Sequence, residues 1–463
     1  MIPVIALVGK PNVGKSTLFN RLTRSRDALV ANFSGLTRDR KYGRGEMFDR
    51  RFVVIDTGGI SGEEIGIDME MAQQSLRAIN EADIVLFMVD CREGITSADY
   101  LIANTLRRRN AKVYLVANKI DGLDPAAALV DFYELGFSEI FPTTASQGRG
   151  IRAIMEVVLK RFDSNDVVGE DQGSSIKVGV VGRPNVGKST LVNRMLGEER
   201  VVVFDQPGTT RDSIFIEYER NGQRYTLIDT AGVRKRKNIK LAVEKFSIVK
   251  TLQSIDASNV ALVIVDAHEG LVEQDLHLVG SVIDAGRGVV VVINKWDGLN
   301  SSQRQNVKTE IERRLRFADF AKVHFVSALH GTGVGKLYES IKTAYLSATL
   351  SLSTAKLTSI LEGAVETHQP PMIHGRRIKL RLAHSGGRNP PVIIIHGNQT
   401  ESVPAHYARY LERFFIRELG LKGTPVKVEF RTGENPYNRV HSGVGLGAKR
   451  RIRNVTKYSK RNL

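Results

Sequence analysis

Several features that mark secreted or membrane proteins are missing from this chain. Cys91 is the only cysteine among 463 residues, so no disulfide can form within the chain, and this fits a reducing compartment. No run of about eighteen apolar residues occurs that could span a bilayer. The start, Met1-Ile2-Pro3-Val4, lacks the basic residues and cleavage site of a signal peptide. We therefore expect a cytoplasmic protein without membrane insertion, in which Cys91 packs beside an apolar strand.

Acidic residues are scarce in the last quarter of the chain. The net charge is +17, and from Leu350 to Leu463 there are 20 Lys/Arg against 7 Asp/Glu. That quarter therefore carries +13, and the first 349 residues carry only +4. Such asymmetry indicates a nucleic-acid partner or another anionic surface. A soluble domain that is merely basic is the alternative.

A glycine-rich octet occurs twice. Gly9-Lys10-Pro11-Asn12-Val13-Gly14-Lys15-Ser16 lies between an apolar run and a helix-like segment, and Gly182-Arg183-Pro184-Asn185-Val186-Gly187-Lys188-Ser189 repeats it. In this context the backbone N–H groups can surround a phosphate, and the helix dipole favours the anion. We expect Lys15 and Lys188 to reach the β- and γ-phosphates, and Ser16 and Ser189 to hold Mg²⁺.

The octet belongs to a duplicated domain. Gly9 and Gly182 stand 173 positions apart, as do Asp56 and Asp229, whereas Asn118 and Asn294 stand 176 apart. The shift indicates a small insertion in the second copy. In each copy apolar strands alternate with helical segments, which predicts an α/β fold with a mostly parallel sheet and helices on both faces.

Each copy has an acidic motif after an apolar strand. These motifs are Asp56-Thr57-Gly58-Gly59-Ile60 and Asp229-Thr230-Ala231-Gly232-Val233. A carboxylate at the carboxyl end of a strand lies where α/β sheets bind ligands. We expect Asp56 and Asp229 to hold Mg²⁺ through water, and the backbone N–H groups of Gly59 and Gly232 to meet a γ-phosphate.

A third motif predicts which base the bound nucleotide carries. Asn118-Lys119-Ile120-Asp121 and Asn294-Lys295-Trp296-Asp297 each follow an apolar strand. An Asp carboxylate can accept hydrogen bonds from N1–H and the exocyclic amine of guanine, and adenine has no such donor pair, so the site discriminates strongly. The lysines can cover the purine, and the asparagines can tie this loop to the phosphate loop. Trp296 is expected only to pack. Thr144-Ala145-Ser146 and Ser327-Ala328-Leu329 could close the base pocket with backbone N–H groups.

These motifs, in this order, resemble a translation-factor-type small GTPase. Two such domains followed by a small α+β unit resemble the EngA/Der family of bacterial ribosome-assembly GTPases, over nearly the whole chain. The resemblance implies two P-loop GTPase domains, a C-terminal KH-like domain, and association with the large (50S) ribosomal subunit and its rRNA during maturation. It also implies that Thr37 and Thr210 are the switch threonines that reach Mg²⁺ when GTP is bound.

The resemblance leads to five segments. They are a first GTPase domain (1–162), an acidic flexible linker (163–175), a second GTPase domain (176–348), a KH-like α+β domain (349–440) and a basic tail (441–463). The linker is predicted because residues 163–175 are polar and acidic and contain no Lys or Arg.

Hydrolysis is expected to be slow. Many GTPases orient the attacking water with a glutamine after the acidic motif, but Ile60 and Val233 occupy those positions and cannot form hydrogen bonds through their side chains. In related GTPases an asparagine in the phosphate loop helps bind K⁺, so Asn12 and Asn185 predict potassium-stimulated hydrolysis; the alternative is that they only shape the loop. The residues expected to act in hydrolysis are Lys15, Thr37, Gly59, Lys188, Thr210 and Gly232.

The C-terminal unit departs from a usual KH domain. Its only GxxG, Gly420-Leu421-Lys422-Gly423, lies between a predicted helix and a strand, whereas KH modules clamp RNA with a GxxG loop between two helices. RNA clamping of that kind is therefore doubtful. Arg376, Arg377, Lys379, Arg381 and the tail are the candidates for rRNA contact.

The sequence as a whole predicts a monomeric GTP-driven switch in large-subunit assembly. The alternative is an rRNA-binding scaffold in which GTP is mainly a structural ligand. A metabolic nucleotide kinase would need an acceptor-substrate site, and the sequence offers no recognisable one.

Overall fold

A computed structural model describes residues 2–23, 30–31, 41–48, 50–57, 78–109, 112–162, 175–197, 201–204, 215–228, 248–373 and 376–432. Structural statements below concern these residues. The chain forms two compact units. The first comprises residues 1–350, 388–390 and 419–425, and the second comprises 351–387, 391–418 and 426–463.

The described helices are α1 (Lys15–Leu22), α2 (Ser97–Arg108), α3 (Pro125–Ala128), α4 (Ile151–Lys160), α5 (Lys188–Leu196), α6 (Ile248–Ala257), α7 (Glu273–Asp284), α8 (Ser301–Arg314), α9 (Gly335–Ala348), α10 (Thr354–Thr367) and α11 (Ala405–Leu419). The strands are β1 (Val4–Val8), β2 (Val30–Ala31), β3 (Lys41–Met47), β4 (Arg50–Asp56), β5 (Ile84–Asp90), β6 (Val113–Asn118), β7 (Ile140–Pro142), β8 (Ser175–Gly182), β9 (Val201–Phe204), β10 (Phe215–Arg220), β11 (Gln223–Ile228), β12 (Val260–Asp266), β13 (Gly288–Asn294), β14 (Lys322–Phe325), β15 (Met372–Ile373), β16 (Arg376–Arg377), β17 (Lys379–Gly387), β18 (Val392–Asn398) and β19 (Lys427–Thr432). In the described part of the chain, no helix has the length and apolarity needed to cross a membrane.

The first copy forms a seven-stranded sheet with the order β2-β3-β4-β1-β5-β6-β7. Strand β1 pairs in parallel with β4 and β5, and the parallel ladder continues through β6 to β7. Strand β3 is antiparallel to both of its neighbours, β2 and β4. Every residue of β1 and β5 is buried, as expected for parallel strands covered on both faces.

Helices cover both faces of this sheet. Phe19 of α1 and Met155 of α4 belong to a cluster on one face. Leu106 of α2 and Phe132 belong to a separate cluster on the other face. The layered arrangement confirms the predicted α/β class, and the half-buried Cys91 packs against the second cluster.

The second copy repeats the plan. Its seven-stranded sheet has the order β14-β13-β12-β8-β11-β10-β9. Strand β8 is central and pairs in parallel with β11 and β12. Because the central strand leads into the phosphate loop in both copies, the topology places the two loops at equivalent edges of the two sheets.

The two GTPase-like domains share a buried cluster within the first unit. Val4, Val53 and Ile55 of the first sheet belong to the same cluster as Leu252 and Ile255 of α6. At its edge, the Arg44 guanidinium lies 3.4 Å from the Asp256 carboxylate and donates a 2.8 Å hydrogen bond to the Ser281 carbonyl. Side chains of both GTPase domains therefore contribute to one buried core.

The second unit contains a three-stranded sheet with the order β17-β18-β19. Strand β18 is antiparallel to β17 and parallel to β19. The elements occur in the predicted order of helix, strand, strand, helix and strand. Buried side chains of α10 and α11, among them Leu361, Leu411 and Phe415, complete its α+β core.

The GxxG segment lies between α11 and β19, and it belongs to the first unit. The Gly423 N–H donates to the Phe320 carbonyl at 2.8 Å, and the Gly423 carbonyl accepts from the Val289 N–H at 2.7 Å. Both backbone groups of Gly423 are therefore used within the protein, which argues against an RNA clamp at this place.

Candidate nucleotide-binding sites

The first phosphate loop connects β1 to α1 and depends on glycine. Gly14 has φ of +102°, and an added Cβ would lie 2.4 Å from the Asn118 amide nitrogen. A larger residue would therefore meet both backbone strain and a close contact. Asn12 also adopts a left-handed conformation, with φ of +63°, and its side chain is exposed.

Lys15 is folded over this loop. Its Nζ donates to the carbonyls of Gly9 at 2.9 Å and Lys10 at 2.6 Å. Burial lowers the pKa of Lys15 to about 8, and the nearby Asp56 carboxylate offsets part of that shift. The ammonium group is thus poised beside the loop in a poorly hydrated place, where phosphate oxygens would favour its charged form.

Ser16 and Asp56 lie together as predicted. The Ser16 hydroxyl donates to the Asp56 carboxylate at 2.8 Å, and Asp56 is almost fully buried. A hydroxyl and a carboxylate are hard oxygen donors of the kind that Mg²⁺ prefers, with phosphate oxygens and water completing the shell. These two residues therefore fit the predicted metal. The neighbouring Thr57 hydroxyl instead donates to the Leu7 carbonyl at 2.8 Å and secures the sheet.

Asn118 joins three loops. Its side-chain amide donates to the Val13 carbonyl of the phosphate loop at 2.7 Å, and its Oδ1 accepts from the Ala145 N–H at 2.9 Å. This confirms that the asparagine ties the base loop to the phosphate loop, and it places Ala145 beside both. Lys119, with φ of +62°, extends to Asp90, where Nζ and carboxylate are 2.6 Å apart.

The second site repeats this geometry. Lys188 donates to the carbonyls of Gly182 at 3.2 Å and Arg183 at 2.8 Å. Asn294 donates to the Val186 carbonyl at 2.8 Å and accepts from the Ala328 N–H at 2.9 Å. The Lys295 ammonium contacts the Asp266 carboxylate. Independent agreement of two copies makes a chance arrangement untenable.

The two carboxylates that the sequence predicts to read the base differ in their surroundings. Asp121 forms an ion pair with Arg92. Asp297 instead lies 3.5 Å from His330, and a hydrogen bond from the Ser327 hydroxyl is the main cause that holds the pKa of Asp297 below its ordinary value. The Trp296 ring packs against Phe325 with ring centroids 4.4 Å apart and planes tilted by 42°, in agreement with the packing role expected for this side chain.

Some predicted residues lie outside the described residues. They are Thr37, Gly58, Gly59 and Ile60 in the first copy, and Thr210, Asp229, Thr230, Ala231, Gly232 and Val233 in the second. The linker residues 163–174 and residues 433–463, with the basic tail, also lie outside.

Sequence reasoning missed the partners of the second loop residue. The side chains of Lys10 and Arg183 contact acidic residues that follow β5 and β12: Glu93 and Asp99 for Lys10, and Glu269 and Asp275 for Arg183. The available signal was the identical spacing of these acids in both copies.

Two doubly wound sheets, each with a phosphate loop and a guanine-type base loop at matching edges, define a tandem P-loop GTPase. The sequence profile described as a 50S ribosome-binding GTPase matches residues 4–119 and 177–295. The profile of the KH-domain-like C-terminal region of EngA bacterial GTPases matches residues 352–431.

Full-length relatives agree. The chain is 66% identical to GTPase Der of Cellvibrio japonicus over 440 residues, covering 94% of each chain. It is 55% identical to GTPase Der of Idiomarina loihiensis over 477 residues, covering 100% of each. The chain belongs to the GTPase Der (EngA) family, which confirms the resemblance inferred from its motifs, and it is a GTPase.

Solved structures are similar to part of the chain. One is Era in complex with MgGDPNP and nucleotides 1506–1542 of 16S ribosomal RNA, at 26% identity and a TM-score of 0.31, covering 45% of this chain and 74% of that chain.

Proposed function

We propose that GTP binding and hydrolysis at the two sites switch this protein on and off the large ribosomal subunit during its maturation. The observation that carries the proposal is the paired site geometry, in which Asn118 and Asn294 each join a phosphate loop to a base loop. The match to a profile described as a 50S ribosome-binding GTPase supports this choice of partner. The protein would act in the cytoplasm, where ribosomal subunits are, and as a monomer.

The chain's own residues would divide the work. Ser16 and Asp56 would hold Mg²⁺ with Thr37, and Ser189 and Asp229 would do so with Thr210. The metal would neutralise charge that develops on the phosphate oxygens. Lys15 and Lys188 would leave the loop carbonyls for the β- and γ-phosphates, while Gly59 and Gly232 would offer backbone N–H groups to the γ-phosphate. Asp121 and Asp297 would select guanine.

Potassium stimulation is part of the proposal. Asn12 and Asn185 are exposed at the turn of each phosphate loop, with φ of +63° and +62°, where a carboxamide oxygen could meet a monovalent cation beside the phosphates. Hydrolysis should be faster in K⁺ than in Na⁺ at equal ionic strength. Asn12→Ala and Asn185→Ala should remove the difference, and equal rates in both salts for the parent chain would end this part of the proposal.

Exposed cations of the second unit support rRNA contact. Arg377, Lys379 and Arg381 lie exposed on β16 and β17, whereas the side chain of Arg376 lies outside the described residues. If they meet phosphates, changing these three to Gln should make the negative slope of log K against log salt shallower by about 2 for single-stranded RNA. Lys308→Gln with Arg313→Gln, which removes two exposed cations of α8, is the control and should leave the slope unchanged.

The test of the switch is sedimentation with isolated 50S subunits in GTP, GDP or a non-hydrolysable GTP analogue. We expect binding with the analogue and release with GDP. Equal binding in every nucleotide state would favour the scaffold alternative, and no binding to 50S subunits in any state would overturn the proposed partner.

A further inference from the structure

The two copies share a second acidic pattern outside the nucleotide motifs. Residues 90–99 connect β5 to α2, and residues 266–275 connect β12 to α7; we call them the bridging segments. Each begins with Asp, has Glu three positions later and ends with Asp nine positions later: Asp90, Glu93 and Asp99, and Asp266, Glu269 and Asp275.

In the first domain the bridging segment surrounds the side chain of Lys10. The Lys10 ammonium lies 3.0 Å from Glu93 and 3.3 Å from Asp99, and it donates to the Thr96 hydroxyl at 3.3 Å. Asp99 is fully buried, and its carboxylate also accepts from the Thr96 N–H at 3.0 Å in the capping box of α2. The second residue of the phosphate loop is thus fixed to the start of a helix.

The second domain reaches the same result with arginine. The Arg183 Nε donates to Asp275 at 2.8 Å, and its Nη1 contacts Glu269 at 2.5 Å. Asp275 is fully buried and also accepts from the Val272 N–H at 3.2 Å at the start of α7. A lysine in one domain and an arginine in the other therefore contact an equivalent pair of Glu and Asp residues.

The bridging segments also hold the base loop. Asp90 pairs with Lys119, and Asp266 pairs with Lys295, the lysines expected to cover the guanine. Burial opposes ionisation, but hydrogen bonds from Lys119 and from the Arg92 N–H hold the pKa of Asp90 below its ordinary value. Each bridging segment therefore contacts both ends of a nucleotide site.

The phosphate loop needs such support. Positions 11 and 12 are exposed, and Asn12 has φ of +63°, a left-handed conformation that is uncommon outside glycine, although asparagine adopts it more often than most residues. The Asn118 amide holds Val13 on one side of this turn, and the bridging segment holds Lys10 on the other. Backbone donors accelerate a reaction only when they are fixed before the charge develops.

We propose that Lys10 and Arg183 are positioning residues for GTP hydrolysis, which act through the bridging segments to fix the phosphate loop relative to the base loop. Neither cation would touch the nucleotide, since both are already engaged by acids. The inference rests on the proposed placement of the phosphates at the two loops.

A purely structural role would affect a different quantity. If the ion pairs only stabilise the domain, their loss reduces the fraction of folded protein and the number of GTP molecules bound per chain. The rate constant for hydrolysis of each bound GTP would then stay unchanged. If they position the loop, that rate constant falls while the number of sites is retained.

The experiment uses the full chain with Lys188→Ala, so that only the first site turns over, and single-turnover hydrolysis of prebound GTP. Lys10→Met should lower the rate constant at least tenfold with about one GTP still bound. Lys10→Arg should keep it within threefold, because the second domain uses arginine. Arg108→Met, an exposed cation on α2, should leave it unchanged.

Lys10→Met leaves Asp99 buried without its cation, so this variant risks misfolding. The double variant Lys10→Met/Asp99→Asn removes both charges and should show the same slow rate constant. In a Lys15→Ala chain only the second site turns over. There Arg183→Met should lower the rate constant for hydrolysis, and Arg183→Lys should retain it.

A folded, GTP-bound double variant with a rate constant within twofold of the parent would overturn the inference. The double variant Lys15→Ala/Lys188→Ala distinguishes failure of the positioning inference from failure of the proposed nucleotide sites. If that chain still binds GTP, the phosphates lie elsewhere; if it does not and the Lys10 variants are fast, only the positioning role is wrong.

Discussion

Single residues in the first site have environments that set their chemistry. Lys15 is the clearest case, because its side chain is almost fully buried, its ammonium donates to the Gly9 and Lys10 carbonyls, and burial lowers its pKa to about 8. The nucleotide-free protein therefore carries a lysine whose charge depends on pH within an accessible range.

The affinity of the first site for GDP should fall as pH rises above 8. Phosphate oxygens raise the pKa of Lys15, so binding takes up a proton above pH 8, and the Lys15 contribution then weakens by up to about tenfold per pH unit. Below pH 8 it should be constant. Titration with fluorescent GDP from pH 7 to 10, in a Lys188→Ala chain, measures this.

Lys15→Arg is the control for that titration, since arginine stays charged throughout the range. The GDP affinity of this variant should not show the decline that begins near pH 8 in the parent chain. The same depressed pKa makes the unfolded state bind more protons between pH 8 and 10.5, so the Lys15 contribution to the free energy of unfolding rises across that window. A parent affinity that is flat to pH 10 would contradict the assignment.

Asp121→Asn should move the first site from guanine to xanthine nucleotides. The amide can donate to the xanthine 2-oxo group but no longer accepts both guanine donors, and loss of two charge-assisted bonds should weaken GTP binding by about a hundredfold or more. Competition between GTP and XTP in a Lys188→Ala chain measures it. Asp124→Asn, an exposed cap of α3 in the same loop, should bind GTP normally.

At the scale of elements, the site is a meeting of loops at the ends of parallel strands. Three of these loops, from β1, β6 and β7, are joined by the side chain of Asn118. The same arrangement recurs around Asn294. A change that displaces this asparagine should therefore disturb several loops at once.

Gly14→Ala should displace the side chain of Asn118. The new Cβ would need to lie 2.4 Å from the Asn118 amide, so Asn118 must move and its bonds to both neighbouring loops weaken. We expect GDP affinity at the first site to fall at least tenfold, which titration measures. Gly222→Ala has a similar positive φ of +74° but nothing within 4 Å. It should cost about 1–2 kcal/mol of stability and leave GDP binding intact.

The strand–loop–helix pattern was sufficient to predict the two sheets and the neighbours of Ser16, Asp56 and Asn118, because parallel strands bring their carboxyl ends to one edge. It could not predict where long charged side chains point. The side chain of Lys10, to which the loop motif assigned no direction, contacts Glu93 and Asp99, because that direction depends on residues more than eighty positions later.

At the scale of the whole first unit, the two GTPase domains share an interior. The Arg44–Asp256 pair is mostly buried, with side-chain exposures of 15% and 2%. Strand β3, which carries Arg44, follows the segment of Thr37, and α6, which carries Asp256, follows the segment of Gly232. The pair therefore links chain regions that adjoin both predicted switches.

Arg44→Met should lower the free energy of unfolding by about 3 kcal/mol, because Asp256 is left charged and buried. Arg44→Met/Asp256→Leu should recover most of this loss. Arg51→Met, which breaks the more exposed pair with Glu46, should cost under about 1 kcal/mol. Denaturant unfolding measures all three, and equal losses for Arg44→Met and Arg51→Met would refute a buried coupling.

The single thiol offers a practical opening. Burial beside Asp90 raises the pKa of Cys91 to about 11, so at neutral pH about one molecule in ten thousand carries the reactive thiolate there. A cysteine introduced on an exposed surface would be alkylated far faster. Fluorophores could thus be attached at chosen positions without first removing the native sulfur, and movements that accompany each GTP turnover could be watched in real time.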